Sequence, residues 1–253
     1  MKAGKAMLVK ICGIRDELML ETVIEAGADL VGLVFHPASP RYTPIHVAAH
    51  LARQARGRIG IVGLCVAPSR EELRDIADLV APDWLQMHRP AIEASAPPGL
   101  PAAHGADPAL TLASIREDYG IPILESASVA SPEDLALVQL RAATDPSLML
   151  LLDAKAQAGA PPGGNGVAFD WTILAGFRAP RPWLLAGGLK PDNVAQAILT
   201  ARGRLSEQDR AHGIAPNRFA GVDVSSGVES ARGIKDPDLI HAFVRAARDA
   251  WRA

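Results

Sequence analysis

The sequence predicts an α/β fold, a (β/α)8 barrel of the TIM type in a single domain, on three observations. Eight short apolar runs recur along the chain, helical periodicity or an N-cap signal follows most of them, and 253 residues suits one barrel domain. An open, doubly wound sheet is the other architecture that such alternation admits.

The first run, residues 8–14 (LVKICGI), delivers a thiol at its end and turns at Gly13. Side chains alternate along a strand, so Cys12 shares a face with Lys10 while Val9 and Ile11 point the other way. An ammonium one layer below favours the thiolate, the form that acts as base or nucleophile. The competing reading makes Cys12 a small buried hydrophobe and Lys10 an ordinary surface charge. Residues 16–26 carry Leu18, Leu20, Val23 and Ile24 near helical spacing, with Gly27 as the stop. The continuous apolar run 28–35 (ADLVGLVF) is the pattern of a strand covered on both faces. A proline-marked loop, 36–43, follows and contains Arg41; a helix then begins near Pro44.

Residues 59–66 repeat the buried-strand pattern, and Ser69 with Glu72 forms a capping box for a helix through Val80. Cys65, near the end of this third strand, reads as core. The fourth strand, 84–88 (WLQMH), ends on His88. Residues 89–107 are irregular, and helical pattern returns over 108–119. A fifth strand is expected at 121–129, and Ser131-Pro132 opens a helix to about Ala142. The sixth strand, 148–154, ends on Asp153 and leads into a long glycine-rich loop, 155–168, and a short helix around 169–176. Strand seven is expected at 183–189, with a helix opening at Pro191. The polar connection 202–218 reads as a surface insertion. Strand eight, 219–224, runs into Ser225-Ser226-Gly227, and Asp236-Pro237 caps a last helix to about Arg252. The domain is thus expected to span 1–253, with expanded loops near 89–107 and 202–218.

In a barrel the C-terminal strand ends line one mouth, so Cys12, His88, Asp153 and Asp223 converge despite their separation in sequence. Gly187 and Gly188 after strand seven, with Ser225, Ser226 and Gly227 after strand eight, occupy the slots where such barrels grip a phosphate through backbone N–H groups. Paired glycines and Ser-Gly clusters also mark ordinary turns. The expected partner is therefore a small phosphorylated substrate. Lys and Arg (26) nearly balance Asp and Glu (28), which gives no footprint for nucleic acid. Two distant cysteines, without a signal peptide or a bilayer-length apolar run, point to a cytoplasmic protein with no membrane association. No metal-ligand spacing is present, so no metal is expected. A monomer and a homodimer are both compatible with the sequence.

The motifs VKICGI (9–14), GLVFHPASPR (32–41), LQMH (85–88), LLLDAK (150–155) with FDW (169–171), AGGLKPDNV (186–194) and VDVSSGVE (222–229) resemble the phosphoribosylanthranilate isomerase family of tryptophan biosynthesis over nearly the whole chain. The resemblance implies an Amadori rearrangement of N-(5'-phosphoribosyl)anthranilate to 1-(2-carboxyphenylamino)-1-deoxyribulose 5-phosphate, by general acid–base catalysis and without a cofactor. It implies Asp153 as the acid and Cys12 as the base. A carboxyl acting as an acid near neutral pH needs a raised pKa, which burial supplies, and Lys10 is expected to help keep the thiol ionised. By the same resemblance Arg41 faces the anthranilate carboxylate, while His88 and Asp223 contact the substrate. Three positions depart from the family. Glu125 stands in strand five where a lysine is usual, Arg89 follows the strand-four histidine in place of glycine, and Ala186 begins the strand-seven end. A Glu125 that faced the mouth would oppose a Cys12 thiolate unless it paired with Lys10. A phosphate-ligand-binding paralogue with an altered substrate or no turnover is the competing functional reading.

Overall fold

The computed structural model describes residues 7–88, 110–144, 149–154, 171–174, 177–203 and 217–253. Eight parallel strands close into a barrel in sequence order: β1 (Leu8–Cys12), β2 (Leu30–Val34), β3 (Gly60–Val66), β4 (Trp84–His88), β5 (Ile123–Val129), β6 (Met149–Ala154), β7 (Trp183–Leu185) and β8 (Phe219–Val224). The helices are α1 (Glu17–Glu25), α2 (Ile45–Ala55), α3 (Arg70–Asp75, continued by a π turn over Ile76–Val80), α4 (Leu112–Tyr119), α5 (Pro132–Thr144), α6 (Val194–Arg202) and α7 (Pro237–Arg252). Local chemistry sets their starts. Asp16 accepts from Met19 N–H, Ser69 and Glu72 form the reciprocal box, and Asp236 accepts from Asp238 and Leu239 N–H ahead of Pro237.

Four expectations shift. Strand β7 stops at Leu185, short of the expected 189, because Gly187 and Gly188 take left-handed φ of +83° and +66° and leave the sheet. Helix α6 begins at Val194, after a turn in which Asn193 accepts from Lys190 N–H. The helix expected around 169–176 is a 3₁₀ turn over Trp171–Leu174. After β8, a 3₁₀ turn (Ser226–Val228) feeds an antiparallel hairpin, β9 (Glu229–Ala231) and β10 (Ile234–Lys235), which the sequence did not foretell. All of 89–107 and 155–168 and most of 202–218 lie outside the described residues.

The outer faces of the strands pack on the helices, while the lower barrel interior is an apolar plug of Leu30, Val62, Leu124, Leu151, Leu184 and Ala186. Toward the C-terminal strand ends the inward row turns polar, with Lys10, Gln86, Ser126 and Asp223 all buried. The closing seam is made here. Lys10 of β1 lies opposite Asp223 of β8, and Lys10 Nζ donates to Asp223 Oδ1 at 2.7 Å. Gly221 lets the two strands meet, since a Cβ there would stand 1.9 Å from the Leu8 carbonyl oxygen.

A buried ion pair adds little net stability, but removing one partner strands the other charge in low dielectric. Lys10→Met is therefore expected to cost about 3–5 kcal/mol in urea unfolding, and Lys10→Met/Asp223→Asn to recover most of that loss. A Lys10→Met cost below about 1 kcal/mol, the range of an exposed pair, would contradict this role.

Candidate active site

Cys12 ends β1 with 3% of its surface exposed, packed against Val34 and Leu64 on the inward face. Gly32 on the neighbouring strand makes room for the thiol, because a Cβ there would stand 2.7 Å from Cys12 Sγ. The hydroxyl of Ser225 donates to the Cys12 carbonyl at 3.0 Å and fixes the strand end. Burial pushes the Cys12 thiol up from its ordinary value; Lys10 and Lys235 pull down, Asp223 pushes up, and burial prevails. Lys10 thus favours the thiolate, as expected, but does not outweigh burial. The Lys10 ammonium is buried and bound to Asp223, whose carboxylate acts on the sulfur in the opposite sense.

The other expected site residues take distinct places. Asp153 lies half-buried at the end of β6, in the inward row above Leu151 and beside Ser128 of β5. His88 ends β4. Burial, with the charges of Lys10 and His36, holds its imidazole down to about 4, so it is neutral at physiological pH. Gln86 Nε2 lies 3.3 Å from His88 Nε2 and donates to Ser126 Oγ at 2.9 Å, tying β4 to β5 beneath the mouth. Asp223, expected to contact substrate, has Oδ1 engaged by Lys10.

Arg41 reaches the rim from the loop after β2. Its stem crosses Gly13, where φ is +87° and a Cβ would stand 2.7 Å from Arg41 Cδ. Its Nε and Nη2 donate to the two oxygens of Glu229 at 2.7 and 2.9 Å. Glu229 also accepts from Lys235 Nζ at 2.9 Å, and Lys235 Nζ donates to the Ser225 carbonyl at 2.8 Å. Neither Glu229 nor Lys235 emerged as a site residue from the sequence. Both sit on the hairpin, where strand parity gives no guidance; the one local signal was Gly233, whose φ of +80° forms the hairpin turn.

Beside the hairpin, Gly187 and Gly188 meet the turn after β8, which runs directly into β9. A Cβ on Gly227 would stand 1.7 Å from the Leu189 carbonyl, so the Ser226–Gly227 turn lies directly against the double-glycine loop. Ser225, at the start of the same turn, uses its hydroxyl on the Cys12 carbonyl and its carbonyl on Lys235. Glu125 also differs from the reading that set it against the thiol. It alternates with Leu124 and Ser126, which face inward, and shares parity with Ile123, which packs in the outer cluster with Leu85 and Met87. Glu125 therefore points away from Cys12. Among the described residues no group of three or more His, Cys, Asp or Glu is placed to hold a metal ion, and no helix is long and apolar enough to cross a membrane.

The family model for N-(5'-phosphoribosyl)anthranilate (PRA) isomerase matches residues 103–246. The N-(5'-phosphoribosyl)anthranilate isomerase of Rhodopseudomonas palustris (strain BisA53) is 40% identical over 245 residues, covering 96% of this chain and 97% of the relative. Among solved structures, phosphoribosyl anthranilate isomerase from Thermotoga maritima superposes with a TM-score of 0.71 at 27% identity, covering 96% of this chain and 99% of its own. Another structure of such an isomerase, in complex with reduced 1-(o-carboxyphenylamino)-1-deoxyribulose 5-phosphate, gives a TM-score of 0.69 at 26% identity over 96% and 99% of the two chains. Placed beside the thiol, the carboxylates and the paired turns at one barrel mouth, these matches establish that the chain belongs to the N-(5'-phosphoribosyl)anthranilate isomerase family.

Proposed function

We propose that this chain catalyses the Amadori rearrangement of N-(5'-phosphoribosyl)anthranilate, with Asp153 as general acid and Cys12 as general base. One observation carries the reading: Cys12 and Asp153 stand on inward rows at the ends of β1 and β6, at a mouth that also carries the Gly187-Gly188 loop pressed against the Ser226–Gly227 turn.

The reaction is an internal redox exchange, so it needs proton movement and no external oxidant. Asp153 protonates the ring oxygen as the bond from that oxygen to C1' breaks; the anilino nitrogen lone pair then forms the C1'=N Schiff base. Cys12 as thiolate removes the C2' proton, and the freed electron pair makes C1'=C2' while the nitrogen regains its lone pair. Tautomerisation of this enolamine leaves the ketone at C2' and a reduced C1'. The phosphate lies against the backbone N–H groups of the Gly187-Gly188 and Ser226–Gly227 turns, which suit an anion. Arg41 takes the carboxylate of the aromatic ring, a planar anion matched by a guanidinium fork. His88, neutral and half-buried, and Asp223, held by Lys10, complete the polar side of the mouth. An acidic residue in strand five would favour a ligand-binding paralogue only if it opposed the thiol, and Glu125 faces the other way.

The test is the loss of anthranilate fluorescence from freshly generated N-(5'-phosphoribosyl)anthranilate. Reduced protein is expected to outpace spontaneous decay, and Cys12→Ser and Asp153→Asn each to lower kcat by about 10²–10⁴-fold with an unchanged circular dichroism spectrum. Near-normal turnover in either variant would overturn that residue's role. Absence of turnover in the unmodified chain would overturn the activity.

A further inference from the structure

Glu229 has no part in the proton transfers, yet its carboxylate gathers four hydrogen bonds beside them. Oε1 accepts from Arg41 Nε at 2.7 Å and from Lys235 Nζ at 2.9 Å; Oε2 accepts from Arg41 Nη2 and from Gly233 N–H, both at 2.9 Å. Its side chain is 3% exposed and so is that of Lys235. Burial opposes the charge, but the hydrogen bond from Arg41 and the charge of Lys235 hold Glu229 at about 2, so it is an anion at any working pH.

The direction of the grip matters. A guanidinium carries five N–H groups in one plane, and Glu229 takes the side formed by Nε and Nη2. The end formed by Nη1 and Nη2 is a second fork, which fits another carboxylate in the same plane. Held from the side by Glu229 and from beneath by the close approach at Gly13, Arg41 has few torsions left to lose when that second carboxylate arrives. The hairpin that carries Glu229 is anchored in turn. Arg15 donates to the Gly233 carbonyl at 2.7 Å and to the Pro40 carbonyl at 3.1 Å, bridging the hairpin to the loop that bears Arg41. Lys235 extends the link inward through Ser225, whose hydroxyl holds the Cys12 carbonyl.

We propose that Glu229 is the positioning residue for carboxylate recognition: it fixes Arg41 side-on so that the outer edge of the guanidinium meets the carboxylate of the substrate's aromatic ring, and through Lys235 and Ser225 it ties that arginine to the strand end bearing Cys12. The proposal rests on the assignment of Arg41 above and adds the residue that makes Arg41 selective.

The experiment compares two ligands by calorimetry, reduced 1-(o-carboxyphenylamino)-1-deoxyribulose 5-phosphate and its phenylamino counterpart without the ring carboxylate, on the unmodified chain, Arg41→Ala, Glu229→Gln and the double variant, with steady-state kinetics alongside. Glu229→Gln keeps the side chain's shape, and a thermal melt checks its folding. The expected result is that Glu229→Gln weakens the carboxylate ligand by at least about tenfold and the phenyl ligand by less than about threefold, raises KM more than it lowers kcat, and adds nothing to the loss already caused by Arg41→Ala. Equal weakening of both ligands, no weakening, or additive losses in the double variant would overturn the role of Glu229 while leaving Arg41 in place. If Arg41→Ala itself does not erase the preference for the carboxylate ligand, the assignment of Arg41 falls and the proposal with it.

Discussion

The arrangement of the mouth depends on the buried ion pair between Lys10 and Asp223. It lies at the seam where the first and last strands of the barrel meet, between residues 213 apart in sequence, and it forms only when β8 returns to β1 in the correct register. Cys12 sits one inward step above Lys10, so the same register that makes the pair also sets the depth of the thiol. Burial, the largest influence, leaves the Cys12 thiol above its ordinary range, while Lys10 pulls its pKa down and Asp223 pushes it up.

A second charged unit governs the rim. Arg41, Glu229 and Lys235 alternate in sign, and Lys235 reaches Ser225, which holds the Cys12 carbonyl. The base is thus supported from below by the seam and from the side by the hairpin. Next to it the mouth is lined by backbone: the left-handed Gly187-Gly188 loop and the Ser226–Gly227 turn touch at a spacing that leaves no room for a Cβ on Gly227. Side-chain charge and backbone turns at one mouth suit a ligand that carries both a carboxylate and a phosphate.

Strand parity made much of this legible in the sequence. Counting alternate residues placed Lys10 on one face with Cys12, and the alternation of apolar runs with capped helices gave the barrel. What parity could not supply was partnership. Lys10 reads as a companion to Cys12 because they are two residues apart, whereas its closer partner comes from the far end of the chain. Glu125 shows a related limit. In 121–129 polar residues fall on both rows, Glu125 on one and Ser126 and Ser128 on the other, so polarity does not mark the inward row, and the bond from Gln86 to Ser126 and the packing of Ile123 decide it. Glu229 and Lys235 lie on a hairpin of five strand residues outside the barrel repeat, where neither periodicity applies.

The central claim, that a buried thiol held protonated at rest is the base of this site, is tested most directly by titrating Cys12 and the reaction together. Thiolate absorbance in the ultraviolet, taken as the difference between the unmodified chain and Cys12→Ser, gives the ionisation of Cys12; kcat/KM across the same pH range gives the ionisation that turnover requires. Cys65, which burial pushes up to about 12, cancels in the difference. The account requires both curves to rise together, with a midpoint above the ordinary cysteine value of about 8.5. A kcat/KM limb that follows a group titrating below neutrality, or that does not move with the Cys12 curve, would contradict it.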